Sequence, residues 1–457
     1  MMALTQRAVV ATLALIAATG CVTRMPKPDF AASQDIVGRD RRTHELLAAP
    51  LTLASASEIT LLNNAGVAAE LAQAGIAASD VIAASRLQNP ELFGSRTRDG
   101  NARKSVLSLT QSFTELILFS ARKRLAEAEY QRAQLMGAAA MSKLTAEVES
   151  AWYRHVSALQ VAELQSAVWQ IAQASSELAE RFFAAGNISD LQLNAERSAA
   201  AEAELRSLRA SSDASQSRFE LQRMMGLRGA PAWTVHSLLP APPATEEALD
   251  GLLSKLLQNR ADVRAAQRET ELLADALAMA RRWRLLGRVD VGIERERELA
   301  GVRLTGPTLA IALPIFNQGQ AGIARAAAQL AMARARAAEL TVAAESSVRA
   351  AHERVATARR VLATFEKTIL PAQTVIALRE QQQQNFMFIG QFELLLARQK
   401  RYELDQGYIE AQRDYWLARS ELARASGVTL PHDAAAPTPN TAPIPPDMDT
   451  HSHGATP

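Results

Sequence analysis

Hydrophobic positions follow a helical period along most of this chain. Between residues 113 and 183 no proline interrupts the pattern, and Gly137 is the only glycine. A helix of roughly 70 residues, at about 1.5 Å of rise per residue, would be a rod near 100 Å long. Gly186 then interrupts the pattern, and a second helical run covers residues 190–225. The spacing predicts an antiparallel hairpin of two long helices.

The second half of the chain repeats this plan. A helical pattern covers residues 320–384, with a kink expected at Pro371, and another helix follows Gly390. Gly186 and Gly390 are 204 positions apart, whereas Gly226 and Gly427 are 201 positions apart. We therefore infer an internal duplication of about 200 residues, each copy reading helix, two strands, long helix, tight turn, long helix. The helices that open the two copies are expected at about 55–86 and 245–284.

The returning helix of each hairpin carries a seam with alternating spacings of three and four residues. Small seam residues let helix axes approach closely, and a seven-residue period imposes left-handed supercoiling. This pattern predicts coiled-coil packing, which is one form of buried core. The two seams are Leu193, Glu196, Ala200, Ala203, Ser207, Ala210, Ala214, Ser217 and Leu221, and Leu394, Ala397, Arg401, Leu404, Tyr408, Ala411, Tyr415, Ala418 and Leu422.

Each half also contains two short segments that read as strands. Val289, Val291 and Ile293 alternate with Asp, Gly and Glu, and residues 309–313 alternate large with small side chains. The first half has a weaker strand–turn–strand signal over residues 91–112. Apolar residues that face outward and small or polar residues that face inward are typical of a transmembrane barrel. We expect Val289, Val291 and Ile293 to face lipid.

Four strands cannot close a barrel. An open sheet edge cannot lie in lipid with its backbone groups unpaired. If three copies of the chain pooled their strands, the resulting twelve would lie within the range known for closed outer-membrane barrels. The pattern therefore predicts an oligomer.

Composition supports long helices and excludes some functions. Hydrophobic residues make up 48% of the chain but aromatic residues only 5%, because alanine dominates the apolar residues. This favours helices packed at close range over a thick aromatic core. The 50 basic and 48 acidic residues are spread along the chain without a polybasic block, which gives nucleic-acid binding no support.

The N-terminus reads as an export signal. Arg7 precedes an apolar run over residues 8–18, and the sequence Ala-Thr-Gly leads to Cys21, the single cysteine. This arrangement resembles a bacterial lipobox, whose cysteine is acylated after cleavage, so Cys21 is the predicted lipidation site. Cleavage by an ordinary signal peptidase is the alternative. Val22 follows where Asp often signals inner-membrane retention, so outer-membrane sorting is expected.

Several motifs together resemble a known family. The segment 313–319, Leu-Pro-Ile-Phe-Asn-Gln-Gly, is similar to a strand-to-helix corner, and 259–266, Asn-Arg-Ala-Asp-Val-Arg-Ala-Ala, to the opening of a second repeat. Asn89 with Pro90 is similar to the start of a first strand. Gly186 and Gly390 match the positions of hairpin turns. In their order and spacing these motifs resemble the TolC family of outer membrane factors, in particular its lipoprotein branch.

The resemblance implies a mainly α fold with a β-barrel portion. It implies a homotrimer with a twelve-stranded barrel in outer-membrane lipid and a periplasmic coiled-coil tube. The hairpin tips would dock onto a periplasmic adaptor protein, and an inner-membrane pump would supply the energy. Residues implied in these roles are Pro314 and Gly319 at the corner, and Gly186, Gly390, Phe183 and Phe388 at the docking tips.

The resemblance also implies acidic residues that guard the narrow end of the tube. Asp190 and Glu393 lie just after the two turns. A ring of like charges would attract cations and would be costly to dehydrate. The alternative is that each is a solvated carboxylate favoured by the start of its helix. The first repeat departs from the family, because Phe113, Thr114, Glu115 and Leu116 lack the Pro and Gly of the corner.

Nothing in the sequence indicates an enzyme or a resident cofactor. The seven histidines are scattered, and those in the predicted long helices have no paired His or Cys at ligand spacing. A Pro-rich tail, expected to be disordered, carries His451 and His453, which are weak metal-ligand candidates beside the reading of a plain polar tail. No phosphate-binding loop or dinucleotide fingerprint is present.

The sequence thus divides into six predicted regions. They are a signal peptide (1–20), an extended N-terminal segment (21–54), a first repeat (55–230), a linker (231–244), a second repeat (245–428) and a tail (429–457). Three functions fit this plan. The first is an efflux duct for small toxic compounds or metal ions, the second is the outer-membrane duct of a type I protein secretion system, and the third is a periplasmic adaptor or structural coiled-coil protein.

Overall fold

The computed structural model describes residues 36–430 apart from 101, 230, 231, 237, 300, 389 and 429. Cys21, the predicted signal peptide and the tail with His451 and His453 lie outside the described residues. The described residues from Thr43 onward belong to one compact unit, and those before Thr43 form the first part of one helix.

The described chain is mainly helical and follows the duplicated plan. The elements of its first half are α1 (Ile36–Leu47), α2 (Leu53–Asn63), α3 (Ala65–Ala84), β1 (Glu91–Asp99), β2 (Ala102–Ser112), α4 (Phe113–Ala184) and α5 (Asp190–Met224). Those of its second half are α6 (Leu249–Asn259), α7 (Ala261–Arg282), β3 (Val289–Arg297), β4 (Arg303–Ile311), α8 (Gln320–Thr364), a π-helical turn (Phe365–Ile369), α9 (Leu370–Asn385) and α10 (Gln391–Ser426).

Two expectations about the shorter helices are wrong. The segment 21–54 was expected to be extended, yet α1 occupies much of its described part. The two helices that open the repeats are also not continuous, because each has an extended residue, Asn64 or Arg260, between two helical pieces. In the first repeat a side-chain cap explains the break, since Asn64 Oδ1 accepts a hydrogen bond from Gly66 N–H at 2.8 Å.

These two breaks hold the ends of the hairpins. Asn64 Nδ2 donates to the Met224 carbonyl oxygen at 2.8 Å, and an Arg260 guanidinium nitrogen donates to the Ala425 carbonyl oxygen at 3.2 Å. Met224 and Ala425 are 201 positions apart in the sequence. The two breaks therefore perform the same structural role in the two repeats, with different side chains.

The predicted kink at Pro371 takes the form of a π-helical turn. Proline has no N–H group, and its ring collides with the carbonyl group four residues earlier, so a regular α-helix cannot pass through it unchanged. Here the helix widens over Phe365–Ile369, and Leu370 N–H bonds to the Phe365 carbonyl oxygen. Helix α8 and helix α9 therefore form one long, interrupted rod.

The main core lies where the two hairpins pack on each other. The rings of Tyr153 on α4 and Trp416 on α10 stack with centroids 5.1 Å apart, and both side chains are buried. Trp416 Nε1 donates to the Pro240 carbonyl oxygen at 2.9 Å, which fixes the linker on this core. Of the two predicted seams, the buried members are Leu193, Ala203, Ala210, Ala214, Leu221, Leu394, Ala411, Tyr415 and Leu422.

Two helices are long and apolar enough, by length and composition, to cross a membrane. They are Ala65–Ala84 and the rod Gln320–Asn385. Both owe this mainly to alanine, and α3 packs along α4 while α8 packs along α7 and α10. Length and composition are therefore weak evidence that either helix spans a membrane, because both helices pack against other helices.

Candidate functional site

The four strands form one antiparallel sheet in the order β1-β2-β3-β4. The repeats meet between β2 and β3, where Leu109 pairs with Ile293 and Ser112 with Asp290. Strands β1 and β4 therefore form the two edges of this open sheet within the described chain. The weak signal over residues 91–112 corresponds to two full strands.

One face of the sheet carries an apolar band next to the helices. Directly paired residues share a face, so Leu92, Leu109, Ile293 and Pro307 form one row across all four strands. The neighbouring row toward the helices contains Val291 and Leu309, both exposed. This arrangement confirms that the alternating residues of β3 lie on separate faces of the sheet, as their sequence pattern predicts.

The opposite face is small and acidic on β3, and it carries the exposed Phe93 on β1 and Leu304 on β4. On β3 it presents Asp290, Gly292, Glu294 and Glu296, which alternate with the apolar residues. Asp290 pairs with Arg288, with Nε and Oδ2 2.6 Å apart, and Glu296 pairs with Lys104, with Oε1 and Nζ 2.5 Å apart. An apolar face opposite a charged face suits a wall between lipid and water.

The second repeat leaves the sheet through a loop that contains Pro314 and Gly319. Gly319 has a φ of +76°, in the left-handed region that favours glycine, and immediately precedes α8. Its N–H group donates to Asn317 Oδ1 at 3.0 Å. Leu313, Ile315 and Phe316 project from this loop, and Phe316 is 95% exposed. The loop therefore redirects the chain from strand to helix and carries an apolar surface.

The first repeat makes the same change of direction without such a loop. Strand β2 ends at Ser112 and α4 begins at Phe113, as the absence of Pro and Gly there suggests. Thr114 Oγ1 donates to the Gly287 carbonyl oxygen at 3.0 Å and accepts from Val289 N–H at 2.8 Å. This single hydroxyl joins the start of α4 to the start of β3.

Both hairpin turns lie where the sequence predicts them, but the left-handed residue of the second turn is not the glycine. Gly186 has a φ of +74°, as a turn glycine should, but Gly390 is extended and the left-handed residue is Met387, with a φ of 61°. Asn187 N–H bonds to the Phe182 carbonyl oxygen, and Phe388 N–H bonds to the Gln383 carbonyl oxygen. Each of these equivalent pairs differs by 201 positions, so the duplication keeps one offset through the turn.

The aromatic residues predicted at the tips are exposed. Phe183 is 42% exposed and Phe388 79% exposed, and Met387 beside it is 91% exposed. Phe182, by contrast, contacts Phe392 edge to face with ring centroids 6.0 Å apart. The second tip thus carries the larger apolar surface.

The two acidic gate candidates occupy different local settings. Asp190 is the first residue of α5, and Asn194 Nδ2 donates to its Oδ1 at 3.0 Å. Glu393 accepts the Gly390 N–H at 3.1 Å, which caps its own helix. Under the offset of 201 residues, Asp190 corresponds to Gln391 and Glu393 to Gln192, so the two carboxylates are not repeat equivalents.

Among the residues that the structure describes, no group of three or more His, Cys, Asp or Glu side chains is placed to hold a metal ion. His155 is buried, with Nδ1 3.0 Å from Ser217 Oγ and its ring against Trp233. Burial and the nearby Arg218 charge lower the pKa of His155 to about 4. This histidine is a neutral core residue.

Sequence reasoning missed the left-handed Met387, because a glycine was taken as the mark of the turn. It also missed Arg260 as the counterpart of Asn64, since the two side chains differ. A search for one constant offset, starting from Gly226 and Gly427, would have located Met387, which is 201 positions after Gly186. It would not have located Arg260, which is only 196 positions after Asn64.

Comparison with known proteins agrees with this geometry. No family model matches the chain. It is 26% identical over 362 residues to the cobalt-zinc-cadmium resistance protein CzcC of Cupriavidus metallidurans, covering 77% of this chain and 84% of that protein. A Pseudomonas aeruginosa membrane protein superposes with a TM-score of 0.67 at 19% identity, over 82% of this chain and 90% of that one.

A second solved structure is described as an outer-membrane channel. The Campylobacter jejuni channel CmeC superposes with a TM-score of 0.65 at 14% identity, covering 82% of this chain and 85% of that one. The chain has the fold of the TolC-family outer-membrane channels. The mainly helical channel fold that the sequence motifs led us to expect is thereby confirmed. The similar proteins are channel or resistance proteins, in agreement with the prediction that the chain is not an enzyme.

Proposed function

We propose that the chain is the outer-membrane channel subunit of a tripartite efflux system. The observation that carries this proposal is the four-stranded sheet, which has an apolar band on one face, the acidic residues of β3 on the other and two open edges. Unpaired strand edges are not stable in lipid. Three chains would join β4 of one to β1 of the next and close a barrel of twelve strands.

The helices supply the rest of the duct. Helix α4 has 72 residues, which at about 1.5 Å each gives a rod of roughly 110 Å. Joined to the sheet at the two corners, such rods would continue the barrel into the periplasm as a tube. Acylation of Cys21 would anchor each chain to the outer membrane.

The hairpin tips would bind a periplasmic adaptor, with an inner-membrane pump as the energy source. The exposed side chains of Phe183, Met387 and Phe388 support this assignment, because contiguous exposed apolar groups mark interaction sites. Phe388→Ser should weaken adaptor binding more than Phe183→Ser, because Phe388 is the more exposed. Co-purification of trimer with adaptor would measure this, and equal binding by both variants and the wild type contradicts the docking role.

Metal cations are the substrate class that the channel lining favours. On the face that would line the lumen, Glu91, Asp290, Glu294 and Glu296 outnumber Lys104 and Arg288, which pair with Glu296 and Asp290. An excess of acidic groups in a channel lining attracts cations. The 26% identical relative is a cobalt-zinc-cadmium resistance protein, which supports the same class. Small toxic organic compounds are the other substrates that an efflux duct of this kind would carry.

A deletion strain tests the substrate. Cobalt, zinc and cadmium salts should become more toxic to it, and the gene on a plasmid should restore resistance. The Gly287→Ala gene should restore less, because a Cβ atom at Gly287 would lie 1.8 Å from the Ala312 carbonyl oxygen. A strain with unchanged tolerance to metals, dyes and antibiotics contradicts efflux. Export of a polypeptide by a type I secretion system would then be the better assignment.

We propose that Asp190 and Glu393 belong to the acidic lining of the narrow periplasmic end. Both side chains are exposed in the single chain and lie directly after the hairpin tips. Asp190→Asn and Glu393→Gln remove charge but keep a hydrogen-bonding group, and Gln can still cap α10. Lower cation selectivity in planar-bilayer recordings supports the role. Unchanged selectivity in the double variant leaves them as helix-start carboxylates.

A further inference from the structure

Arginines are concentrated at one end of the sheet, far from the helices. Arg98 pairs with Arg103 in β1 and β2, and Arg297 pairs with Arg303 in β3 and β4. Ser105 pairs with both Arg96 and Arg297, so these two arginines lie in one row across the sheet. All these arginine side chains are exposed. The arginine band comprises Arg96, Arg98, Arg103, Arg295, Arg297 and Arg303.

The arginine band lies on the apolar face. Residues two apart in a strand point to the same side, so Arg295 and Arg297 lie on the same face of β3 as Val291 and Ile293. Leu107 pairs with Arg295, which places the β2 leucines on the same face. This side of the sheet would face outward in the closed barrel.

Charge is segregated between the two faces. The described positions on the outward face contain no Asp or Glu, whereas Glu91, Asp290, Glu294 and Glu296 lie on the inward face. The arginine band therefore has no carboxylate beside it on its own face. Its natural complement is an anion supplied from outside the chain.

The height of the arginine band fits a lipid headgroup region. A strand tilted by about 40° climbs roughly 2.5 Å per residue along the membrane normal. From the exposed Leu313 in the corner back to Arg303 in β4, ten residues climb about 25 Å, which is the height of the apolar band of outer-membrane barrels. Thr305 is the one polar residue between them on this face of β4. The arginines begin directly beyond that apolar surface, where charged side chains leave the hydrocarbon.

We propose that the arginine band binds the phosphate groups of lipid headgroups in the outer leaflet. This inference rests on the proposed function, because the apolar face is outward only in a closed barrel. The guanidinium group holds two phosphate oxygens at once in a planar fork, which lysine cannot do. With three chains, the barrel would carry the band three times around its outer rim.

The test measures lipid binding by the purified trimer. Native mass spectrometry would count molecules of bis-phosphorylated lipid A bound to the trimer in neutral detergent, with dephosphorylated lipid A as the lipid control. The test variant carries Arg96→Gln, Arg297→Gln and Arg303→Gln. A charge-matched control variant removes three exposed arginines of α8 by Arg334→Gln, Arg336→Gln and Arg349→Gln.

We expect the phosphorylated lipid to bind the test variant roughly 100-fold more weakly than the wild type, since each basic residue near anionic headgroups contributes about fivefold. The control variant should bind like the wild type, and the Arg→Lys version of the test variant should be intermediate. Dephosphorylated lipid should not distinguish the variants. Equal binding of phosphorylated lipid by the test and control variants would overturn the proposal.

Two further results would also decide the matter. If inorganic phosphate displaces the lipid at low concentration, the site takes free phosphate and the assignment to lipid is wrong. If the wild type is not recovered as a trimer, the proposed function is wrong, and this inference, which depends on it, is wrong as well. If the protein is a trimer but its lipid binding does not change when the arginines are substituted, only this inference is refuted.

Discussion

The substitution Gly287→Ala should break the corner at which the two repeats join. A Cβ atom built on Gly287 would lie 1.8 Å from the Ala312 carbonyl oxygen, whereas real Cβ atoms do not approach closer than 3.0 Å. The backbone must therefore open by about 1.2 Å, the difference between those two distances. Two hydrogen bonds meet here, Ala312 N–H to the Arg288 carbonyl oxygen at 2.8 Å and Thr114 Oγ1 to the Gly287 carbonyl oxygen at 3.0 Å.

The cost follows from these contacts. Forcing extra atoms into a packed site costs about 1–3 kcal/mol, and each lost hydrogen bond about 1 kcal/mol. We expect roughly 3 kcal/mol of destabilisation per chain and about three times that in a trimer. The strained segment begins β3, so the damage should appear as a loss of the barrel before any loss of helix.

Thermal dissociation of the trimer on semi-native gels, with circular dichroism in parallel, measures this effect. Gly322→Ala is the matched control, because Gly322 lies in α8 and a Cβ atom there meets nothing within 4 Å. The control should be neutral or slightly more stable than the wild type, since alanine is the better helix former. A Gly287→Ala trimer that dissociates at the same temperature as the control would refute the reasoning.

Three other predictions concern the hairpins and the core. Met387→Gly should stabilise the second tip by about 1 kcal/mol, because Met387 has a left-handed backbone, and Gly186→Ala should destabilise the first tip by a similar amount. Hydrogen exchange should become slower at the second tip of the first variant and faster at the first tip of the second variant. Exchange rates equal to those of the wild type would contradict this prediction. Asn64→Ala should lower the unfolding free energy by about 2 kcal/mol, through loss of the helix cap and of the bond to the Met224 carbonyl, as measured by denaturant titration. An unchanged denaturant concentration at the unfolding midpoint would contradict this prediction. His155, whose pKa falls to about 4 in the fold, binds a proton more readily when unfolded, so the stability it supports is complete above pH 6.5 and is lost as the pH falls toward 4. The loss should reach on the order of 3 kcal/mol, and a His155→Phe protein should lack this part of the pH dependence.

The sequence predicted those parts of the fold that depend on long repeated patterns. The long helix Phe113–Ala184 and the helix that begins at Asp190 were evident because helical periodicity over tens of residues has few alternatives. The faces of β3 were equally clear, since alternation over Val289, Val291 and Ile293 assigns each side chain to a side. These patterns were predictable because the spacing of hydrophobic residues along the sequence reflects directly which side chains are buried.

Features that depend on one backbone angle or one tertiary contact were not predictable in the same way. The Met387 side chain does not indicate a left-handed backbone, because closure of the tip imposes that angle, and only the 201-residue offset from Gly186 points to it. The break at Arg260 depends on a contact with the Ala425 carbonyl, 165 positions away. The arginine band was hidden for a related reason, since strand pairing alone brings Arg96, Arg297 and Arg303 into one row.

The central claim is that three chains together close one channel, because a single chain leaves both sheet edges open. Native mass spectrometry of the detergent-extracted outer-membrane protein tests it most directly. The account predicts one dominant species with the mass of three acylated chains, which releases monomers only on heating. A dominant species with the mass of a single chain, stable and free of bound detergent, would contradict it.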